Sequence, residues 1–302
     1  MTVRRALGIV LALALAALAP AGAALAQRCA DHVPGARPQN TPRAFVGQGL
    51  DEIRARGFIE FAVYEDFAPY SWRDGDEARG VDVELGRIIA EYVGVEPRFR
   101  FVPASETVEA DLMNYVWRGA IVDGRVSNVM LHVPYDSQLV CRIEQVVLTG
   151  QYFNERVAIA YRTDVYPDKA PTPAVFRFET VGVENDSIAD FYLSSFAGGA
   201  IVPKMRRFRT PEAAMAALAA GEVTAVMGLR GQLEHGAVEG VAIDDGPFPN
   251  FGRGEWTLGL AVHQSHRDLA YEVDDAVQEA LRDGRLAAIF EASGLSFHPP
   301  AW

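Results

Sequence analysis

Residues 58–93 read FIEFAVYEDFAPYSWRDGDEARGVDVELGRIIAEYV. The opening run from Phe58 to Tyr64 is apolar, β-branched and aromatic, which predicts a strand. An aromatic loop with Tyr64, Phe67, Tyr70 and Trp72 follows, then a polar turn from Asp74 to Gly80. Val81, Leu85, Ile88, Ile89 and Tyr92 then recur at helical spacing. Strand, loop, turn and helix form the first unit of an α/β sheet. Loops at the carboxyl ends of such strands bind ligands. The four aromatic residues are therefore candidates to stack on a flat ligand, the alternative being packing into their own lobe. Asp82 and Glu84 stand at the helix start, where carboxylates favour the dipole.

Outward from this unit, the N-terminus reads as an export signal. Arg4 and Arg5 precede an apolar run, Ala6 to Leu18, and Ala24-Leu25-Ala26 is a small-x-small cleavage signal. Residues 1–26 are expected to be a signal peptide, which predicts a periplasmic address. Residues 27–49 are expected to form an extended arm. No later stretch reaches about 18 apolar residues, so no membrane span is expected in the mature chain. The 302 residues carry a net charge of −12, and losing Arg4 and Arg5 makes the chain more acidic still. That balance argues against nucleic acid and anionic membrane surfaces as partners. The two cysteines, Cys29 and Cys141, predict one disulfide in an oxidising compartment.

Further along, strands are expected at Arg98–Val102 and Val126–Val133, with a helix between them capped by Ser105. Gln145–Leu148 and Arg156–Tyr161 read as two more strands. A second α/β series follows the Pro-rich connector 166–173: strands at Thr180–Val183, Ile201–Met205 and Val223–Met227, with a helix begun by Thr210-Pro211. Trp256–Val262 reads as a strand leaving that series, and residues 268–282 and 286–292 as closing helices. The division expected is a discontinuous first lobe (50–155 plus 263–302) and a second lobe (156–262).

The chain resembles the family 3 extracellular solute-binding proteins of the polar-amino-acid type. Phe67-Ala68-Pro69-Tyr70 is similar to the family's aromatic-x-Pro-aromatic motif. Gly80-Val81-Asp82-Val83-Glu84-Leu85 is similar to its entry into the following helix, with Val81 in place of the usual bulky residue. VGVENDSIADFYL, EAAMAALAAGEVTAVM and ALRDGRLAAIFEASG extend the likeness over most of residues 50–295. The resemblance implies a type II periplasmic binding fold: two α/β lobes joined by two crossover strands, closing on a small-molecule ligand and docking on an ABC permease. The family's ligand-holding Thr and Arg are missing after the third strand, and Leu229 stands where its Asp holds an ammonium. A standard α-amino acid is thus a poor ligand, and Arg230 could instead fork onto a carboxylate. The expected ligand is carboxylated or aromatic. VMLHVPYD resembles a branch found with quinoprotein (PQQ) alcohol dehydrogenases, which implies a periplasmic dehydrogenase as a further partner.

The remaining site candidates are His132, Tyr135 and Asp136 at a strand's carboxyl end, and Asn185 and Ser187 before a helix. The latter two could meet an anion or simply cap the helix. His263 and His266 lack a third ligand, so no metal is expected, and no cofactor motif is present. Lys204, Arg206, Arg207 and Arg209 read as a solvated basic run. Nucleophile-elbow, HExxH and P-loop signatures are absent, so the expectation is a binding protein and not an enzyme. The alternative is an enzyme on the same fold, such as a cyclohexadienyl dehydratase or a lytic transglycosylase, using Glu65 or Asp66.

Overall fold

The computed structural model describes residues 48–252 and 254–300. The expected signal peptide and most of the arm lie outside the described residues, as does Cys29, the expected partner of Cys141.

The opening helix α1 (Leu50–Arg56) ends at Gly57, whose left-handed conformation (φ 79°) turns the chain into β1 (Phe58–Tyr64). A hairpin of β2 (Trp72–Asp74) and β3 (Glu77–Arg79) leads to α2 (Val81–Val93). Then come β4 (Glu96–Val102), α3 (Val108–Leu112, continued by a π-helical turn to Trp117), β5 (Val129–Pro134) and α4 (Ser137–Arg142). The cap of α3 is Thr107, which accepts from the Ala110 N–H, and not Ser105. Ser105 donates its own N–H to Asp111, so it belongs to the preceding loop.

Where two strands are expected, the chain forms one: β6 spans Val146–Arg162. Polar residues and Gly150 interrupt the apolar run in sequence, but the strand absorbs them as a bulge. Its ladder with β11 (Glu255–His263) shifts register there, with Gly150 at φ 57°. The outer part of β6 pairs with β9 (Ala225–Leu229) and β10 (Val241–Asp244). β6 thus carries the sheet from one half of the molecule into the other.

In the second half, β7 (Val181–Glu184) leads into α5 (Ile188–Ser195), and β8 (Met205–Phe208) into α6 (Pro211–Ala219). The expected strand Ile201–Met205 is a 3-10 turn over Val202–Lys204, with the strand beginning only at Met205. Pro203 has no N–H to give a ladder. α7 (Arg230–His235) follows β9, and α8 (Arg267–Arg282) and α9 (Arg285–Ala292) close the chain. The strand order is β4-β1-β5-β11-β6-β9-β7-β8, with β10 also on β6. β1 is parallel to β4 and β5, and β7 is parallel to β8 and β9.

Apolar cores cover both faces of each half. On one face of the first half, Ile59, Phe61 and Val63 pack with Leu85 and Ile89 of α2, Val273 and Val277 of α8 and Phe290 of α9. Leu112, Val116, Met130 and Ala261 fill the other face. The second half has two smaller cores, one around Phe176, Val183 and Leu193, the other around Met215, Leu218 and Leu233.

The end of β11 holds an acid-sensitive group. His263 is buried and its Nδ1 accepts the Ser265 N–H. Burial and the neighbouring His266 push its pKa down to about 4. The unfolded chain takes up this proton near 6.5. Acidification from about 6.5 to 4 therefore favours the unfolded chain, by roughly 1–3 kcal/mol after solvent screening. Unfolding free energies measured across that window should show this slope in the wild type and lose it in His263→Gln.

Candidate ligand-binding cleft

The aromatic loop is held by its own backbone. The Tyr70 N–H donates to the Phe67 carbonyl and the Ser71 hydroxyl to that of Tyr64. The start of α2 grips the same loop, with Val81 and Asp82 N–H groups on the Pro69 and Tyr70 carbonyls. This approach requires glycine at 80: its φ is 118°, and a Cβ there would lie 2.1 Å from the Tyr70 carbonyl oxygen.

Asp82 enters the interior with α2 and is fully buried. Its Oδ1 accepts from the Tyr152 hydroxyl at 2.8 Å, and its Oδ2 lies 3.0 Å from His132 Nδ1. A carboxylate only accepts, so the His132 proton sits on Nδ1. His132 has φ 60°, and the rings of Phe67 and Tyr70 stand 4.8 and 4.5 Å from its own, with Tyr64 edge-on at 6.4 Å. Four of the expected site residues, Tyr64, Phe67, Tyr70 and His132, thus form one cluster. Tyr64 donates to Asp111 at 2.7 Å, and burial with that carboxylate pushes its phenol pKa upward. Glu84, by contrast, faces outward and pairs with Arg87.

Tyr70 is fully buried, and its hydroxyl donates to Glu155, itself fully buried on β6. Burial raises the Glu155 pKa, opposed by the bonds from Tyr70 and the Arg156 N–H. The same hydroxyl touches the second half of the molecule: a Cβ on Gly231 would lie 2.2 Å from it. Trp72 faces His235 of α7 with centroids 6.0 Å apart. From the other side, the Ser296 N–H donates to Glu234 at 2.8 Å. The two halves therefore meet along α7, with the aromatic loop on one side and the C-terminal segment on the other.

Other expected residues lie apart from this cluster or are already engaged. Tyr135 is 39% exposed. Asp136 caps α4 through the Gln138 and Leu139 N–H groups. Asn185 is exposed and donates to Asp186. Ser187 caps α5 by accepting from Asp190 N–H at 3.2 Å. Arg230 is not a free fork: Glu234 accepts from its Nε at 2.9 Å and Asp245 from a terminal nitrogen. The basic run is partly paired, with Arg206 on Glu222 and Arg207 on Asp190.

The second half contributes a small recess, with about 20 Å³ of room inside, at the carboxyl ends of β7 and β9. Glu184, Ser187 and Gln232 supply its polar groups, and Ile188, Pro211, Met227, Leu229 and Leu233 its apolar wall. Burial, with Glu212 nearby, raises the Glu184 pKa to about 6. Sequence reasoning passed over Tyr152, Glu155, Glu184 and Gln232. Only Glu184 carried a signal, as an acid at a strand end directly before a helix cap. Among the described residues, no group of three or more His, Cys, Asp or Glu could hold a metal, and no helix is long and apolar enough to cross a membrane.

This architecture is similar to solved structures of binding proteins. An ancestral cationic amino acid solute-binding protein superposes with a TM-score of 0.64 at 20% identity, over 81% of this chain and 99% of that one. An amino acid ABC transporter substrate-binding protein from Streptococcus pneumoniae, bound to L-arginine, gives 0.59 at 14% identity, over 83% and 100%. A histidine kinase sensor domain similar to periplasmic binding proteins gives 0.54 at 22% identity, over 80% and 98%. At these identities the likeness shows the fold, that of type II periplasmic binding proteins with two α/β lobes. A search of curated protein sequences gives no match. The model of the bacterial extracellular solute-binding proteins, family 3, matches residues 59–293. With that match spanning most of its length, the chain belongs to the family 3 bacterial extracellular solute-binding proteins.

Proposed function

We propose that this chain is a periplasmic binding protein that captures a small solute between its lobes and presents it to an ABC-type importer. The observation that carries this reading is the meeting of the aromatic loop with α7: Tyr70 against Gly231, and Trp72 beside His235. Such a seam is where hinge closure would trap a ligand. A standard α-amino acid fits poorly. Its carboxylate would find the Arg230 guanidinium already held by Glu234 and Asp245. The carboxylated ligand expected from Arg230 thereby loses its receptor, while an apolar or aromatic body against Tyr64 and Phe67 remains compatible.

The test is native mass spectrometry of the purified protein for a co-purified ligand, followed by small-angle scattering with and without it. Compaction on binding is the expected result, and chemical conversion of the ligand would overturn the reading. Gly231→Ala sharpens the test. At Gly231, the second residue of α7, the added methyl would collide with the Tyr70 hydroxyl. The variant should stay folded, scatter as a more open particle and bind at least tenfold more weakly. Unchanged scattering would show that the lobes do not close through this contact.

A second reading has one observation behind it. The buried Asp82–His132–Tyr152 set holds an imidazole between a carboxylate and a phenol, an arrangement suited to proton transfer. Turnover of a cyclohexadienyl acid, abolished by His132→Gln, would favour it.

A further inference from the structure

Within the proposed clamp, the second lobe carries polar groups that its own fold does not use. Gln232 is only 7% exposed and lines the recess. Among the described residues no donor or acceptor meets its side-chain amide, and its atoms are not sealed from the recess. Such a group forgoes hydrogen bonds that a ligand would restore. Glu184, at the end of β7, is half-buried in the same recess, and no cation of the described chain pairs with it. Arg207 and Arg230 are engaged elsewhere, Arg207 with Asp190 and Arg230 with Glu234 and Asp245. Glu212 adds a second negative charge beside Glu184.

We infer that this recess receives the positively charged head of an organic amine, with the Glu184 carboxylate and the Gln232 amide oxygen as acceptors and the Ser187 hydroxyl at the rim. Ile188, Met227, Leu229 and Leu233 would then cover the carbon next to nitrogen. An anionic head is disfavoured there, because it would face Glu184 and Glu212. The ligand class is therefore an amine without an α-carboxylate to anchor. Burial and Glu212 raise the Glu184 pKa to about 6, so at pH 8 the carboxylate is ionised and ready to pair.

This inference rests on the proposed binding function, and its test separates the two. Methylammonium chloride, with sodium acetate at equal ionic strength as the anionic control, would be titrated calorimetrically at pH 8. The titration would use the wild type, Glu184→Gln and Gln232→Leu, each first shown to be folded by circular dichroism. The expected result is saturable methylammonium binding to the wild type, at least tenfold weaker in Glu184→Gln and several-fold weaker in Gln232→Leu, with no acetate binding. Glu184→Gln should also melt no lower than the wild type at pH 8, because it removes an unpaired, partly buried charge. Absent methylammonium binding, acetate binding, or methylammonium binding indifferent to Glu184→Gln would overturn the inference. If a co-purified ligand still closed the lobes in those cases, the clamp would stand with a different ligand class. If no ligand of any kind closed them, the clamp itself would fall.

Discussion

Asp82→Ala is expected to destabilise the protein by about 3–5 kcal/mol, because it removes the shared acceptor of a buried polar set. The Tyr152 hydroxyl and the His132 Nδ1–H both direct their protons at this one carboxylate, at 2.8 and 3.0 Å. Without it they would keep only each other, across a long 3.4 Å contact, at a further desolvation cost. For a chain of this size the thermal midpoint should fall by roughly 6–20 °C. Asp82→Asn distinguishes the hydrogen bonds from the space they occupy. Its amide oxygen can still accept from Tyr152, but its NH2 would face His132 Nδ1, which must then give up its proton and adopt the other tautomer. The asparagine variant should therefore lose less than half of what alanine loses. Equal losses would mean that the carboxylate matters through its charge, and a loss under 1 kcal/mol for alanine would remove the set from the core altogether. The aromatic loop should feel the same change, because the Tyr70 and Phe67 rings lean on His132.

This dependence of the loop on Asp82 marks where sequence legibility ends. The unit from Phe58 to Val93 was readable because each segment announces itself: an apolar run, a Pro- and aromatic-containing loop, a glycine-bounded turn and a periodic helix. The motif order led from there to the two-lobe fold. Asp82 itself was visible as an acid in a helix's first turn, but its destination was not. Its partners Tyr152 and His132 sit 70 and 50 residues away in sequence, and no local pattern ties them to it. β6 is hidden in the sequence for a related reason. A strand that bulges at Gly150 and buries Tyr152 and Glu155 shows neither a clean alternation nor a continuous apolar run. Arg230 shows the opposite error. As a lone cation at a strand end it invites a ligand carboxylate; Glu234, one helical turn on, is a partner the sequence does offer, while Asp245 follows β10 and is brought back to it only by the fold.

Tyr70→Ala should have an effect of comparable size, about 3–5 kcal/mol, since it empties the space of a fully buried aromatic ring. Unlike a change in either lobe's own core, it also removes the side chain that touches Gly231 across the seam. Loss of stability should therefore come with a larger scattering radius for the fraction still folded. Tyr70→Phe isolates the hydroxyl. The ring and its packing remain, but Glu155 keeps only the Arg156 N–H as a donor. A hydrogen bond to a charged partner contributes about 1.5–3 kcal/mol, so the phenylalanine variant should fall between wild type and alanine. Its deficit should depend on pH in a fixed direction. Burial raises the Glu155 pKa in the folded protein, and the bond from Tyr70 opposes that rise. Below about 4.5, the ordinary value for glutamate, Glu155 is protonated in both folded and unfolded chains, and the cost of burying its charge is absent. That cost appears as pH climbs above 4.5, and it should be larger in Tyr70→Phe, where the donor that favours the carboxylate is gone. Urea midpoints for wild type and Tyr70→Phe should accordingly lie closer together at pH 4 than at pH 8, with the His263 contribution cancelling from the difference. A gap that stays constant with pH would mean that Glu155 keeps its proton throughout, and that Tyr70 is bonded to a neutral carboxyl across the working range.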